Sequence, residues 1–182
     1  MPITIELPDL ASQTKFNLAR WTANLADPEL TKLPYRIETD QHGYLFMSPP
    51  LAPLHGQRQV DVALLLRRLL PNGRTLSECP VSTAGGVKAV DVAWPASDRP
   101  ENIRELTLFE RAPEICVEIL SPSNSASEID ERRALYFGAR CVVLYQTCSA
   151  RIPLTPIEDN SEEQYVAPVA QECCPVVDEV RQ

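Results

Sequence analysis

The sequence predicts an α/β domain: a central mixed sheet flanked by helices, in the order helix, strand, strand, strand, helix, strand, behind an N-terminal β-hairpin. Three observations predict it. A strongly apolar helical stretch runs from His55 to Leu70, and three strand-like runs follow it between Arg74 and Leu120. A capping-box signature, Ser125-x-x-Glu128, then opens a second helix ahead of the apolar run Cys141–Tyr145.

The elements follow in order. Residues 1–34 carry prolines at 2, 8, 28 and 34 around one short helix, Gln13 to Leu25, and read as an N-terminal arm or helical cover. Tyr35-Arg36-Ile37-Glu38 and Tyr44-Leu45-Phe46-Met47 flank a Gly-bearing loop, the pattern of a hairpin, and Ser48-Pro49-Pro50 ends it. From His55 to Leu70, Val62, Leu66, Leu69 and Leu70 keep helical spacing, while Val60, Ala63 and Leu64 widen the stripe, so a largely buried helix is expected. Pro71-Asn72-Gly73 stops it. The strands are Arg74–Val81, Lys88–Trp94 entered through Gly85-Gly86, and Ile115–Leu120 bounded by Pro113 and Pro122. The charged segment 95–111 reads as a loop. The second helix runs to about Phe137, with Gly138 after it. A core of residues 35–151 is thus followed by an acidic, proline-containing tail, 152–182, expected to be irregular.

Bulk properties bound the function. The chain has 182 residues, 44% hydrophobic and 23% charged, enough for one domain with a real core. No stretch reaches the ~20 apolar residues of a membrane span. The start, Met1 to Glu6, has no signal-peptide pattern, so a cytoplasmic protein with no membrane partner is expected. The six cysteines form no C-x-x-C pair, and Cys79, Cys116 and Cys141 sit in or beside apolar runs. They read as small hydrophobes, not as a zinc site or a disulfide framework. The net charge of −8 lies at the periphery: residues 55–151 hold 12 Lys+Arg and 12 Asp+Glu. The neutral middle is where chemistry is expected.

Two carboxylates interrupt apolar strands there, Asp91 between Val90 and Val92 and Glu118 between Val117 and Ile119. A buried charge costs several kcal/mol unless it is paired or bound to a metal. On neighbouring strands the two would share a face and could hold Mg²⁺, which takes one or two carboxylates plus water and phosphate oxygens. The bland alternative is a pair of edge carboxylates in solvent or paired to arginine. His55 is either a phosphate contact or base, or a capping residue. Glu38 is either an auxiliary ligand or a solvated strand carboxylate. Lys88 and Glu78 either reach the metal site or DNA, or protect a sheet edge. Ser121 and Ser123 lack a nucleophile elbow and read as caps for the next helix.

The stretch Tyr35–Tyr145 resembles the Uma-two family of bacterial restriction-type endonucleases. The resemblance is carried by Met47-Ser48-Pro49-Pro50, His55-Gly56, Val90-Asp91-Val92-Ala93-Trp94, Glu118-Ile119-Leu120-Ser121-Pro122-Ser123-Asn124-Ser125 and Asp130–Phe137. That family is similar to the PD-(D/E)XK nucleases, whose restriction-endonuclease-like core has the same α-β-β-β-α-β order. The resemblance implies a Mg²⁺- or Mn²⁺-dependent DNA endonuclease acting as a homodimer. Asp91 and Glu118 would be metal ligands and Arg132 the catalytic positive charge, standing where the family pattern has a lysine. Two alternatives stay open: a catalytically impaired nuclease fold that binds DNA or a partner, and an α/β domain without phosphate chemistry.

Overall fold

A computed structural model of the chain describes residues 10–121, 124–139 and 142–147. The elements are α1 (Leu10–Ala26), a 3-10 turn (Leu30–Lys32), β1 (Arg36–Thr39), β2 (Leu45–Ser48), α2 (Pro53–Leu69), β3 (Leu76–Thr83), β4 (Gly86–Trp94), β5 (Ile115–Leu120), α3 (Ala126–Gly138) and β6 (Val142–Thr147). From α2 onward the order is the predicted one. The tail, 152–182, and residues 1–9 of the arm lie outside the described residues. Among the described residues no helix is long and apolar enough to cross a membrane.

The central sheet has the order β3-β4-β5-β6. It is mixed: β3 and β5 pair antiparallel with β4, while β6 runs parallel to β5 across the α3 connection. Neighbouring residues of a strand point to opposite faces, so the packing partners sort the helices. Val92, Val117 and Ile119 pack with Val62 and Leu66 of α2. Ala93 and Cys116, one residue along each strand, pack with Tyr136 of α3. The two helices therefore cover opposite faces.

The helix α2 is not largely buried. Gln59, Val62 and Leu66 face the sheet, but Val60, Leu64 and Leu69 are 57%, 52% and 44% exposed. A helix lying on one face of a sheet buries a single stripe, and the outer apolar residues have no layer above them. The capping box forms as expected: Ser125 Oγ accepts from Glu128 N at 3.2 Å, and Glu128 Oε2 accepts from Ser125 N at 2.8 Å. Cys79 and Cys116 are buried thiols.

The hairpin β1–β2 and the helix α1 close over the near end of the sheet. Gly86 makes the approach possible: its φ is +103°, and an added Cβ would collide with the carbonyl oxygens of Thr39 and Asp40. Val87 N donates to Thr39 Oγ1 at 2.9 Å, which fixes the end of β1 on β4. Asn17 of α1 donates to Ser82 Oγ and Thr83 O at 2.9 and 3.0 Å. Trp21 packs with Val87 and Leu108.

Candidate active site

The strand register aligns three carboxylates. Pairs recorded between β3 and β4 include Ser77↔Val92 and Cys79↔Val90, which leaves Glu78 opposite Asp91. Pairing of β4 with β5 ends at Val92↔Val117, so the next step of that register sets Asp91 opposite Glu118. The ladder is distorted at this row. Glu78 is the one non-glycine residue with positive φ, +53°, among the described residues. Val90 shares the α3-side cluster with Ala93 while Val92 faces α2, so strand alternation breaks at Asp91. The Asp91 carboxylate substitutes for the ladder by accepting from Ile119 N at 2.7 Å. Sparsely populated backbone in a row of acids is the kind of local strain that a surrounding fold must enforce.

Neighbouring elements bring the counter-charges. Arg36 of β1 reaches Asp91 Oδ1 at 2.9 Å, Glu78 at 3.3 Å and Glu38 at 3.7 Å. Arg132 of α3 forks onto both oxygens of Glu38, at 3.1 and 3.0 Å, and reaches Glu118 at 3.4 Å. Glu38 Oε1 also accepts from Ala89 N at 3.1 Å, which ties the hairpin to β4. His55 Nε2, at the start of α2, lies 3.2 Å from Asp91 Oδ2 without hydrogen-bond alignment. Gln59 donates to Glu78 and, at 3.4 Å, to Asp91. Tyr136 donates its hydroxyl to Glu118. Four carboxylates thus face two guanidiniums, with Asp91 and Glu118 only 1% and 5% exposed.

Burial pushes the Glu118 carboxyl up to about 7; Arg132 and Tyr136 pull against this, and the Asp91 charge adds to it. Burial works against the charge of Arg36 and Arg132, but the surrounding carboxylates outweigh it and hold both above the ordinary range. The Glu118 shift sets an expected pH dependence. The folded chain keeps a proton that the unfolded chain releases near 4.5, so stability falls as pH rises from about 4.5 to about 7. A cation bound by Glu118 would have to expel that proton. Affinity for a divalent ion is therefore expected to rise by up to about tenfold per pH unit below 7 and then level off. Titrations at three pH values check this, and a flat profile would contradict it.

The donor set fits a hard divalent cation. Asp91 and Glu118 offer oxygen only and sit on neighbouring strands, and burial holds the Glu118 carboxyl up to about 7, with the Asp91 charge adding to it. Among the described residues no three His, Cys, Asp or Glu side chains form a ready-made cage. An ion here would be of the kind held by a carboxylate pair and completed by water and phosphate oxygens, as Mg²⁺ commonly is.

Asp91, Glu118, Arg132, Glu38 and His55, all singled out by sequence, meet in this one cluster. Lys88 stands at its margin: its ammonium donates to Thr39 O at 3.1 Å and lies 5.8 Å from the centre of the Phe46 ring. Burial pulls Lys88 below its usual range. Sequence reasoning missed Arg36, Gln59 and Tyr136, and left Glu78 ambiguous. Periodicity held the missing signal. Arg36 is two residues before Glu38 on a strand, Gln59 four after His55, and Tyr136 four after Arg132, each on the same face as its flagged neighbour.

The model of one protein family, Uma2, described as "Putative restriction endonuclease", matches residues 27–166. Among solved structures the chain is similar to "a putative nuclease belonging to DUF820 from Anabaena variabilis". The identity is 20% and the TM-score 0.45, over 57% of this chain and 63% of that one. The chain thus spans less than two thirds of that protein's length. No curated protein matches it.

Proposed function

This chain belongs to the Uma2 family, and from that premise we propose that it is a metal-dependent endonuclease hydrolysing DNA phosphodiester bonds. The observation that carries the reading is the buried pair Asp91 and Glu118, on neighbouring strands one step beyond the last pair of their ladder, Val92↔Val117. Asp91 and Glu118 would hold Mg²⁺ or Mn²⁺. When bound, such an ion supplies Lewis-acid stabilisation of phosphoryl charge and acidifies water.

The chain's own residues do the rest. Glu38 grips Arg132 with both oxygens and so aims a fixed positive charge at the site, where negative charge grows on the phosphoryl oxygens in the transition state. An arginine held above its ordinary range keeps its protons and cannot act as the base. The imidazole of His55, beside Asp91, is a side chain able to accept the proton leaving the attacking water. Two copies of the chain would engage the two strands of a duplex as a cytoplasmic homodimer.

A second reading is favoured by one observation. Arg36 and Arg132 already occupy oxygens of both carboxylates. A family member locked in that state would keep the fold for DNA binding or for association with a partner. Calorimetric titration of Mg²⁺ and Mn²⁺, run beside a plasmid-nicking assay, separates the two. The nuclease reading expects saturable binding and nicking that a chelator stops, with arginine serving where the family resemblance has lysine. Wild-type protein that binds no divalent ion leaves the second reading.

A further inference from the structure

The positively charged groups of the cluster are not equivalent. Arg132 is seated on Glu38 by two aligned hydrogen bonds. Arg36 is held differently. One nitrogen, Nη1, makes an aligned bond to Asp91 Oδ1 at 2.9 Å. Its Nε and Nη2 are buried within ion-pair distance of Glu78 and Glu38 but are aligned with no acceptor among the described residues. The guanidinium is thus retained more by the field of three carboxylates, drawn from β1, β3 and β4, than by a fitted set of hydrogen bonds.

We infer that Arg36 is the resident cation of this cluster: it holds Asp91 and Glu78 together until a divalent ion displaces it, and so sets the metal affinity of the site. The inference rests on reading Asp91 and Glu118 as the metal-binding pair. Asp91 Oδ2 accepts from Ile119 N at 2.7 Å, and Oδ1 is the oxygen that Arg36 occupies, so an ion that takes both oxygens, or Oδ1 alone, competes with Arg36. Arginine cannot shed its charge to make room. Two positive centres sharing one oxygen repel, and the long side chain, 16% exposed, is the part that can move. Gln59 also donates to Glu78 and, at 3.4 Å, to Asp91 Oδ1, but it carries no charge to repel an ion.

The test is a Mn²⁺ titration by calorimetry at pH 7.5 on wild type, Arg36→Gln, Arg36→Lys and Asp91→Ala, with thermal melts in the presence and absence of Mn²⁺. Arg36→Gln is expected to bind Mn²⁺ about tenfold or more tightly than wild type. Arg36→Lys, a point charge without the fork, is expected to fall between the two. Without metal, Arg36→Gln should melt below wild type, and saturating Mn²⁺ should recover most of the difference. A purely structural arginine would lower the melting temperature but would not tighten metal binding. Arg36→Gln binding no more tightly than wild type, with Asp91→Ala silent, overturns the inference and leaves the metal site standing. Absence of binding in wild type and Arg36→Gln alike overturns both. If Arg36→Gln does not fold, Arg36→Lys decides by the same comparison.

Discussion

Asp91→Ala is expected to abolish divalent-ion binding and to lower plasmid nicking by on the order of 10³-fold or more. The size of the effect follows from the number of functions that converge on this carboxylate. It fills the row between Glu78 and Glu118, accepts the Ile119 amide where the ladder stops, pairs with Arg36, and stands beside His55. No other carboxylate of the cluster lies between the other two strands, so none can substitute for it. The substitution also removes the aligned hydrogen bond of the Arg36 guanidinium and leaves it to Glu78 and Glu38 alone. A thermal melt must accompany the assay, because only a folded variant reports on chemistry. Asp91→Asn is the milder companion: it keeps the shape, but its amide group turns a donor toward a row of donors. Nicking by folded Asp91→Ala at the wild-type rate would sink the metal-nuclease reading.

The largest effect on stability is expected from Trp21→Ala, a loss of about 3–5 kcal/mol. At roughly 2–4 °C per kcal/mol for a chain of this size, the melting temperature should fall by about 10 °C. Trp21 is 5% exposed, packs on Val87 and Leu108, and donates its indole N–H to Thr107 O at 3.0 Å. It therefore clamps two things onto the sheet at once, the helix α1 and the loop that carries Leu108. Phe109 of that loop exchanges backbone hydrogen bonds with the edge of β3 at Pro80 and Ser82, so the damage should spread to the strand that carries Glu78. Circular-dichroism melts measure it. A change below about 1 kcal/mol would mean that α1 is a dispensable cover and that the sheet holds without it.

In the N-terminal region the helix and the hairpin were legible in the sequence, but what α1 packs against was not. Gln13, Asn17 and Asn24 are buried on α1 beside Trp21, so the helix presents a mostly polar row with one large apolar anchor to the rest of the molecule. Hydrophobic periodicity has no grip on such a helix. Gln13 and Asn17 are satisfied by particular distant partners, Ser82 Oγ and the Gln41 and Thr83 carbonyls, which spacing along the chain does not reveal. At α2, by contrast, Val60 and Leu64 suggested a burial that the structure does not have. Apolar residues mark a helix that can be buried, but the number of layers above it decides whether it is.

The sequence by itself determined the order of elements from α2 to β6, the capping box at Ser125, and the two carboxylates that needed an explanation. Those features are local. Periods of two and of about 3.6 residues, Gly and Pro breaks, and a charge inside an apolar run are all visible within a few residues. The tertiary structure alone decided that Glu38, Glu78, Asp91 and Glu118 converge, that Arg36 and Arg132 meet them, and that the ladder breaks at that row. The physical reason is that electrostatic partnership depends on distance through space and on burial, not on separation along the chain. Arg36 and Asp91 lie 55 residues apart in sequence and 2.9 Å apart in space, and strand register, fixed only when the whole sheet assembles, is what closes that gap.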